Sequence, residues 1–155
     1  MKGNDQIIEK LNLLLAEELT AINQYFVHAE MCEDWDYEPL SAAIKQRSIV
    51  EMKHAETLIE RIIFLEGKPI VSNLNEIRIA SDVKGMHQND LALECVAIKD
   101  YNEAANLAGQ LGDNNTKSIL KAILKDEEDH IDDLEAQLDQ IEQMGIQNYL
   151  AQQIR

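Results

Sequence analysis

The 155-residue sequence predicts an all-α protein, a four-helix bundle with a long crossover between its second and third helices. Three observations carry that expectation. Apolar residues recur in steps of three, four and seven along four long stretches, which keeps one face of each apolar. Leu, Ile, Ala, Glu, Gln and Asp dominate, with only two prolines and 5% aromatics, a composition that favours helix over sheet. Glycine or proline stands at breaks between the stretches. With 45% hydrophobic residues the chain can bury one core, so a single domain is expected over residues 1–155, the bundle at about 5–144 and a short C-terminal helix at about 146–154.

The first helix opens near Asp5 and carries Ile8, Leu11, Leu15, Ile22, Tyr25 and Ala29 to the break at "CEDWDYEPL". The second takes Pro39 in its first turn and runs through Ile44, Ala55, Leu58, Ile62 and Leu65 to Gly67 and Pro69. Residues 68–81 show neither helical nor strand periodicity and read as a connection too long for a hairpin. Ser81 or Asp82 caps a third helix through Leu91, Ala97, Ile98, Tyr101 and Ala108 to Gly112. A fourth passes Leu120, Ile123, Leu124, Ile131, Leu134, Leu138 and Ile141 to Gly145. Two short links and one long crossover give up-down-down-up order. The tail "IQNYLAQQIR" is too small to bury itself and is expected to pack against something else, such as another subunit.

Twenty-nine acids against fourteen Lys and Arg give a formal charge of −15, which repels nucleic-acid phosphates and favours cations as clients. Cys32 and Cys95 lack C-x-x-C spacing and read as reduced thiols. The N-terminus has no signal-like apolar run, and no stretch approaches the roughly 20 apolar residues of a membrane span, so a soluble cytoplasmic protein is expected.

Charged residues inside the apolar stripes point to the chemistry. Glu51 shares the inward face of the second helix with Ile44, Ala55 and Leu58, and Glu127 shares that of the fourth with Ile123, Leu124 and Ile131. Each is followed three residues later by a histidine, His54 and His130. Glu18 and Glu94 interrupt the stripes of the first and third helices. Unpaired carboxylates are not stable in an apolar interior, and several together repel one another unless cations neutralise them. One Glu from each of two helices and Glu-x-x-His from each of the other two is the ligand pattern of di-iron and di-manganese carboxylate bundles. Oxygen-rich ligation with one imidazole per metal and no thiolate suits iron or manganese rather than structural zinc, and iron is the expected metal.

The segments "LNLLLAEELTAINQYFVHAEM", "EMKHAE", "RIIFLEGKP", "NDLALE", "DEEDHID" and "QMGIQNYLAQQIR" resemble those of the bacterioferritin family over essentially the whole chain. The resemblance implies a ferritin-like fold. It also implies iron storage by a ferroxidase that oxidises Fe(II) with O2 or H2O2 at an intra-subunit di-iron centre. Glu51 and Glu127 would bridge the ions, Glu18 with His54 and Glu94 with His130 completing the two spheres. Tyr25, about two turns beyond Glu18 on the same face, is a candidate source of another electron. Met52, two residues before His54, matches the family's haem-ligating methionine and lies about 100° around the helix from Glu51, so it points away from the interior.

A haem b or related haem shared by Met52 of two subunits requires at least an isologous dimer. The family's hollow shell of 24 subunits is the implied assembly, homopolymeric or mixed with a paralogous subunit, with the tail at the four-fold contacts and Asn148 facing a channel. A donor such as a small ferredoxin would supply electrons to the haem for iron release. The chain departs from many members, which have a histidine and an aspartate at Gln46 and Val50, and others that have aromatics at Lys45, Leu58 and Asp133. Two other readings are a rubrerythrin-like peroxidase without storage and a haem-carrying structural subunit of a mixed shell.

Overall fold

A computed structural model describes residues 1–154, which form α1 (Asp5–Asp34), α2 (Glu38–Phe64), α3 (Val83–Gln110), α4 (Asn114–Met144) and α5 (Ile146–Ala151). The helix ends follow from local chemistry. Asn4 accepts the Gln6 N–H at 2.8 Å to cap α1, and Asp82 accepts the Gly85 N–H at 2.7 Å to cap α3. Asp113 takes both the backbone N–H and the hydroxyl of Thr116, at 3.0 and 2.6 Å, at the start of α4. Pro39 sits in the first turn of α2. Gly112 and Gly145 have φ of 78° and 81°, left-handed conformations that a Cβ would strain, and they end α3 and α4 as expected.

The crossover is held by one polar stripe on α1. Asn12 accepts the Ile70 N–H at 2.8 Å, Thr20 the Asn75 N–H at 2.8 Å, Gln24 the Arg78 N–H at 3.0 Å and His28 the Ala80 N–H at 3.1 Å. These positions are spaced by eight, four and four, so they share a helix face. Because both numberings rise together, the crossover runs alongside α1 and delivers α3 to the far end of the bundle. α3 then returns antiparallel to α1, with Met86 against Cys32, Asp90 against Gln24 and Tyr101 against Glu18. The result is the expected up-down-down-up order.

Two apolar clusters fill the interior. One contains Leu11, Leu14, Leu15, Leu58, Ile62, Tyr101 and Leu120. The other contains Tyr25, Cys32, Ile44, Met86, Ile141 and Tyr149. Each fully buried Leu or Ile contributes roughly 1.5–3 kcal/mol by leaving water. α5 is shorter than the tail pattern predicts, ending at Ala151 rather than near 154. Only Tyr149 of that helix is buried, so nothing in this chain rewards extending it. No described helix is long and apolar enough to cross a membrane.

Candidate metal centre

Between the two apolar clusters the four helices turn Glu18, Glu51, His54, Glu94 and Glu127 inward, each buried, with His130 14% exposed at its side chain. α1 and α3 supply one glutamate each, while α2 and α4 supply Glu-x-x-His pairs, whose three-residue spacing places both side chains on one face. The ligand-type atoms fall into two overlapping groups, Glu18, Glu51, His54 and Glu127, and Glu51, Glu94, Glu127 and His130. Within each group these atoms lie within 4.8 Å of one another, and Glu51 and Glu127 belong to both. All six residues singled out from the sequence are thus brought together.

His54 Nδ1 lies 2.8 Å from Glu127 Oε1, 3.0 Å from Glu51 Oε2 and 3.6 Å from Glu18 Oε2. His130 Nδ1 lies 3.0 Å from Glu51 Oε1 and 3.2 Å from Glu94 Oε1. Glu94 Oε2 is buried without a well-formed hydrogen bond, and Glu51 Oε1 and Glu127 Oε1 face the imidazole Nδ1 atoms, so carboxylate oxygens and imidazole nitrogens converge on one space. That is the donor set a pair of hard or borderline cations requires.

The electrostatics agree with that fit. Burial, with Glu51 beside it, pushes Glu18 well above the usual carboxyl range, and burial raises Glu51 as well. Burial and the hydrogen bond to Glu127 raise Glu94 to about 8. Burial alone would also raise Glu127 and lower both histidines, but hydrogen bonds reverse these effects. Glu94, His130 and His54 hold Glu127 well below its usual value. Glu127, Glu18 and Glu51 hold His54 far above its own, and Glu127, Glu51 and Glu94 raise His130 to about 12. The site balances its negative charge with its own protons, which divalent cations would displace.

Tyr25 donates to Glu94 Oε1 at 2.5 Å, on the neighbouring helix α3 and not on its own. The sequence places Tyr25 near Glu18, but its hydroxyl serves the other terminal glutamate. Tyr101, which the sequence reading uses only as a core residue, donates to Glu18 Oε1. The signal was present: Glu18 precedes Tyr25 by seven residues and Glu94 precedes Tyr101 by seven. Antiparallel packing of α1 and α3 crosses the two pairs.

Beyond Tyr25 lies a buried network that sequence reasoning also missed. The Arg47 guanidinium sits 5.3 Å from the Tyr25 ring centroid and pairs with Asp90 at 3.5 Å and Asp133 at 3.2 Å. Asp90 also accepts from Gln24 at 2.8 Å and His28 Nδ1 at 2.9 Å. Because His28 Nε2 accepts the Ala80 N–H, its proton resides on Nδ1. A cavity of about 210 Å³ joins the site, lined by Glu18, Glu51, Glu94 and Glu127 of the cluster and by Asn75, Glu76 and Arg78 of the crossover.

Met52 is 49% exposed, on the outer face of α2. Ile49 and Ile59 are half-buried, and on α1 Phe26 is 41% exposed. A half-exposed thioether is chemically suited to serve as an axial haem ligand. The departures have local accounts. Lys45 pairs with Glu30 at 3.1 Å, Leu58 is fully buried in the apolar cluster and Asp133 binds Arg47. Gln46 is exposed, and Val50 lines a surface pocket beside His54 and His130. Asn148 is exposed on α5 and donates to the Met144 carbonyl at 2.7 Å.

A bundle with two carboxylate and histidine groups sharing two glutamates defines a ferritin-like protein, and the Ferritin-like domain family matches residues 8–144. The chain is 42% identical to the Bacterioferritin of Brucella melitensis over 149 residues, 96% of this chain and 92% of that protein. It is 40% identical to the Bacterioferritin of Rhodobacter capsulatus over the same shares, and 42% identical to the Bacterial ferritin of a Synechocystis strain over 99% of each chain. The chain belongs to the bacterioferritin family, and membership implies iron storage.

Proposed function

We propose that this chain is a single-domain ferroxidase subunit that oxidises Fe(II) and stores the ferric product. The observation that carries this reading is the pair of overlapping buried groups that share Glu51 and Glu127. Fe(II) is the substrate: Glu18 with His54 and Glu94 with His130 hold one ion each, while Glu51 and Glu127 bridge. Two ferrous ions together supply the two electrons that reduce one O2 to peroxide or one H2O2 to water, without releasing a one-electron radical. Tyr25, bonded to Glu94, is the candidate source of a further electron.

Oxidised iron then leaves for the interior of a hollow shell, 24 subunits built from dimers, in the cytoplasm. The acidic surplus of the chain attracts Fe(II) to pores and the inner wall. Met52 of two subunits would hold a shared haem, which supplies an electron path inward for iron release from a donor such as a small ferredoxin.

The test is anaerobic loading of metal-free protein with two Fe(II) per chain, followed by air, with the ferric absorbance recorded. Rapid oxidation at that ratio is expected, falling by at least about 100-fold in Glu51→Ala and His130→Ala. Unchanged rates in both variants would overturn the ferroxidase reading. A Soret band lost in Met52→Leu is expected for the haem.

A further inference from the structure

α2 and α4 carry a second pair of matching positions just outside the carboxylate cluster. Asp126 immediately precedes Glu127, and Val50 immediately precedes Glu51. His54 is held from both sides by α4: Nδ1 lies 2.8 Å from Glu127 Oε1, and Nε2 lies 2.8 Å from Asp126 Oδ2. With the Nε2 proton given to Asp126, the Nδ1 lone pair is directed at the space shared by Glu18, Glu51 and Glu127.

His130 presents Nδ1 to Glu51 and Glu94 in the same way. Among the described residues, however, no hydrogen bond reaches its Nε2. The residue in the position equivalent to Asp126 is Val50, and it lines the same surface pocket as His130 and Asp126. One imidazole is tethered by a carboxylate, and the other has a valine, which cannot accept a hydrogen bond, at the equivalent position.

We propose that Asp126 is a positioning residue for His54, and that the pairing of Asp126 with Val50 makes the two ion positions unequal, the Glu18–His54 position binding a divalent cation more tightly than the Glu94–His130 position. The inference rests on the two-ion reading above. A tethered imidazole loses less rotational freedom on binding and keeps the correct tautomer, an effect typically worth about 10–100-fold in metal affinity. Asp126 is 50% exposed at its side chain, so its replacement leaves the core intact.

The experiment is an anaerobic titration of the metal-free full chain with Co(II), read by visible d–d absorption and calorimetry. Wild type is expected to take two ions per chain with distinct affinities. Asp126→Ala should weaken the tighter position by about 10–100-fold and bring the two affinities together, while Asp126→Asn, which retains an acceptor oxygen, recovers part of the loss. Val50→Asp should tighten the weaker position by about tenfold or more. Asp129→Ala, in the same pocket but paired with Lys125 at 3.1 Å, should leave both unchanged.

His54→Ala supplies the decisive background, since there Asp126→Ala should have no further effect. A persistent loss in that background, or no loss in Asp126→Ala itself, would overturn the proposal. A wild type that binds no pair of ions would overturn the two-ion reading, and this inference with it.

Discussion

The two halves of the bundle that flank the carboxylate cluster are built differently. Toward the α2 end at Phe64, the interior is a continuous apolar cluster of Leu11, Leu14, Leu15, Leu58, Ile62 and Leu120, with the Tyr101 hydroxyl as its polar contact to Glu18. Toward α5, apolar residues share the space with buried Gln24, His28, Arg47, His87 and Asp90. Burial of a charged residue therefore does not by itself mark a metal ligand. Arg47 and Asp90 are buried like Glu51, but they pair with each other and with neighbouring scaffold groups, whereas Glu51 and Glu127 face both histidines within a cluster of four carboxylates. Four carboxylates converging on two imidazoles, not buried charge alone, distinguish the site from the scaffold.

The largest break in this comparison should come from Asp90→Ala. It leaves the Arg47 charge with only the half-exposed Asp133 and removes an acceptor from Gln24 and His28, with an expected loss of about 3–5 kcal/mol. Leu58→Ala in the apolar half should lose about 3 kcal/mol by cavity formation. Thermal and urea midpoints of both variants would check the order. If Asp90→Ala proves milder than Leu58→Ala, the polar half is not the more sensitive one.

A pH profile separates the halves further. Burial pushes His87 down from 6.5 to about 4. Its Nε2 donates to Tyr149, whose hydroxyl donates to Gln137 at 2.6 Å and so anchors α5. Between about pH 6.5 and 4 the unfolded chain binds a proton that the folded His87 does not. The stability from this residue is therefore complete above pH 6.5 and is lost as pH falls toward 4, by up to about 3 kcal/mol. His87→Gln should flatten that part of the stability profile, and an unchanged slope in the variant would assign the dependence elsewhere.

The smallest effects should come from the tyrosines. Tyr25→Phe and Tyr101→Phe each remove one hydroxyl donor to a buried carboxyl, an expected loss of about 1–2 kcal/mol in metal-free protein. Tyr25→Phe leaves a ring for Arg47, so nearly equal losses would assign the effect to the hydroxyls. A markedly larger loss for one variant would show that the surrounding half of the bundle contributes.

The four long helices and their glycine stops were legible because the helical period and capping chemistry are local. The six clustered residues were legible for the same reason: each inward carboxylate violates the apolar stripe of its own helix. Tyr101, Asp126 and the Arg47–Asp90 network were not legible. Tyr101 looks like a core aromatic and Asp126 like one of many surface acids until α1 meets α3 and α2 meets α4. The stripe of Asn12, Thr20, Gln24 and His28 was equally silent, since its partners are backbone N–H groups of a crossover without periodicity.

The sequence by itself determined which residues face inward on each helix, because side-chain direction repeats every 3.6 residues whatever lies opposite. Only the tertiary structure decided which helix each of them serves. Tyr25 reaches Glu94 rather than Glu18, and His54 has a carboxylate behind it while His130 has Val50 nearby. Those pairings depend on the axial offset between packed helices, which is fixed by the crossover pinned along α1 and the fit of the side chains between helices, not by any one helix's sequence.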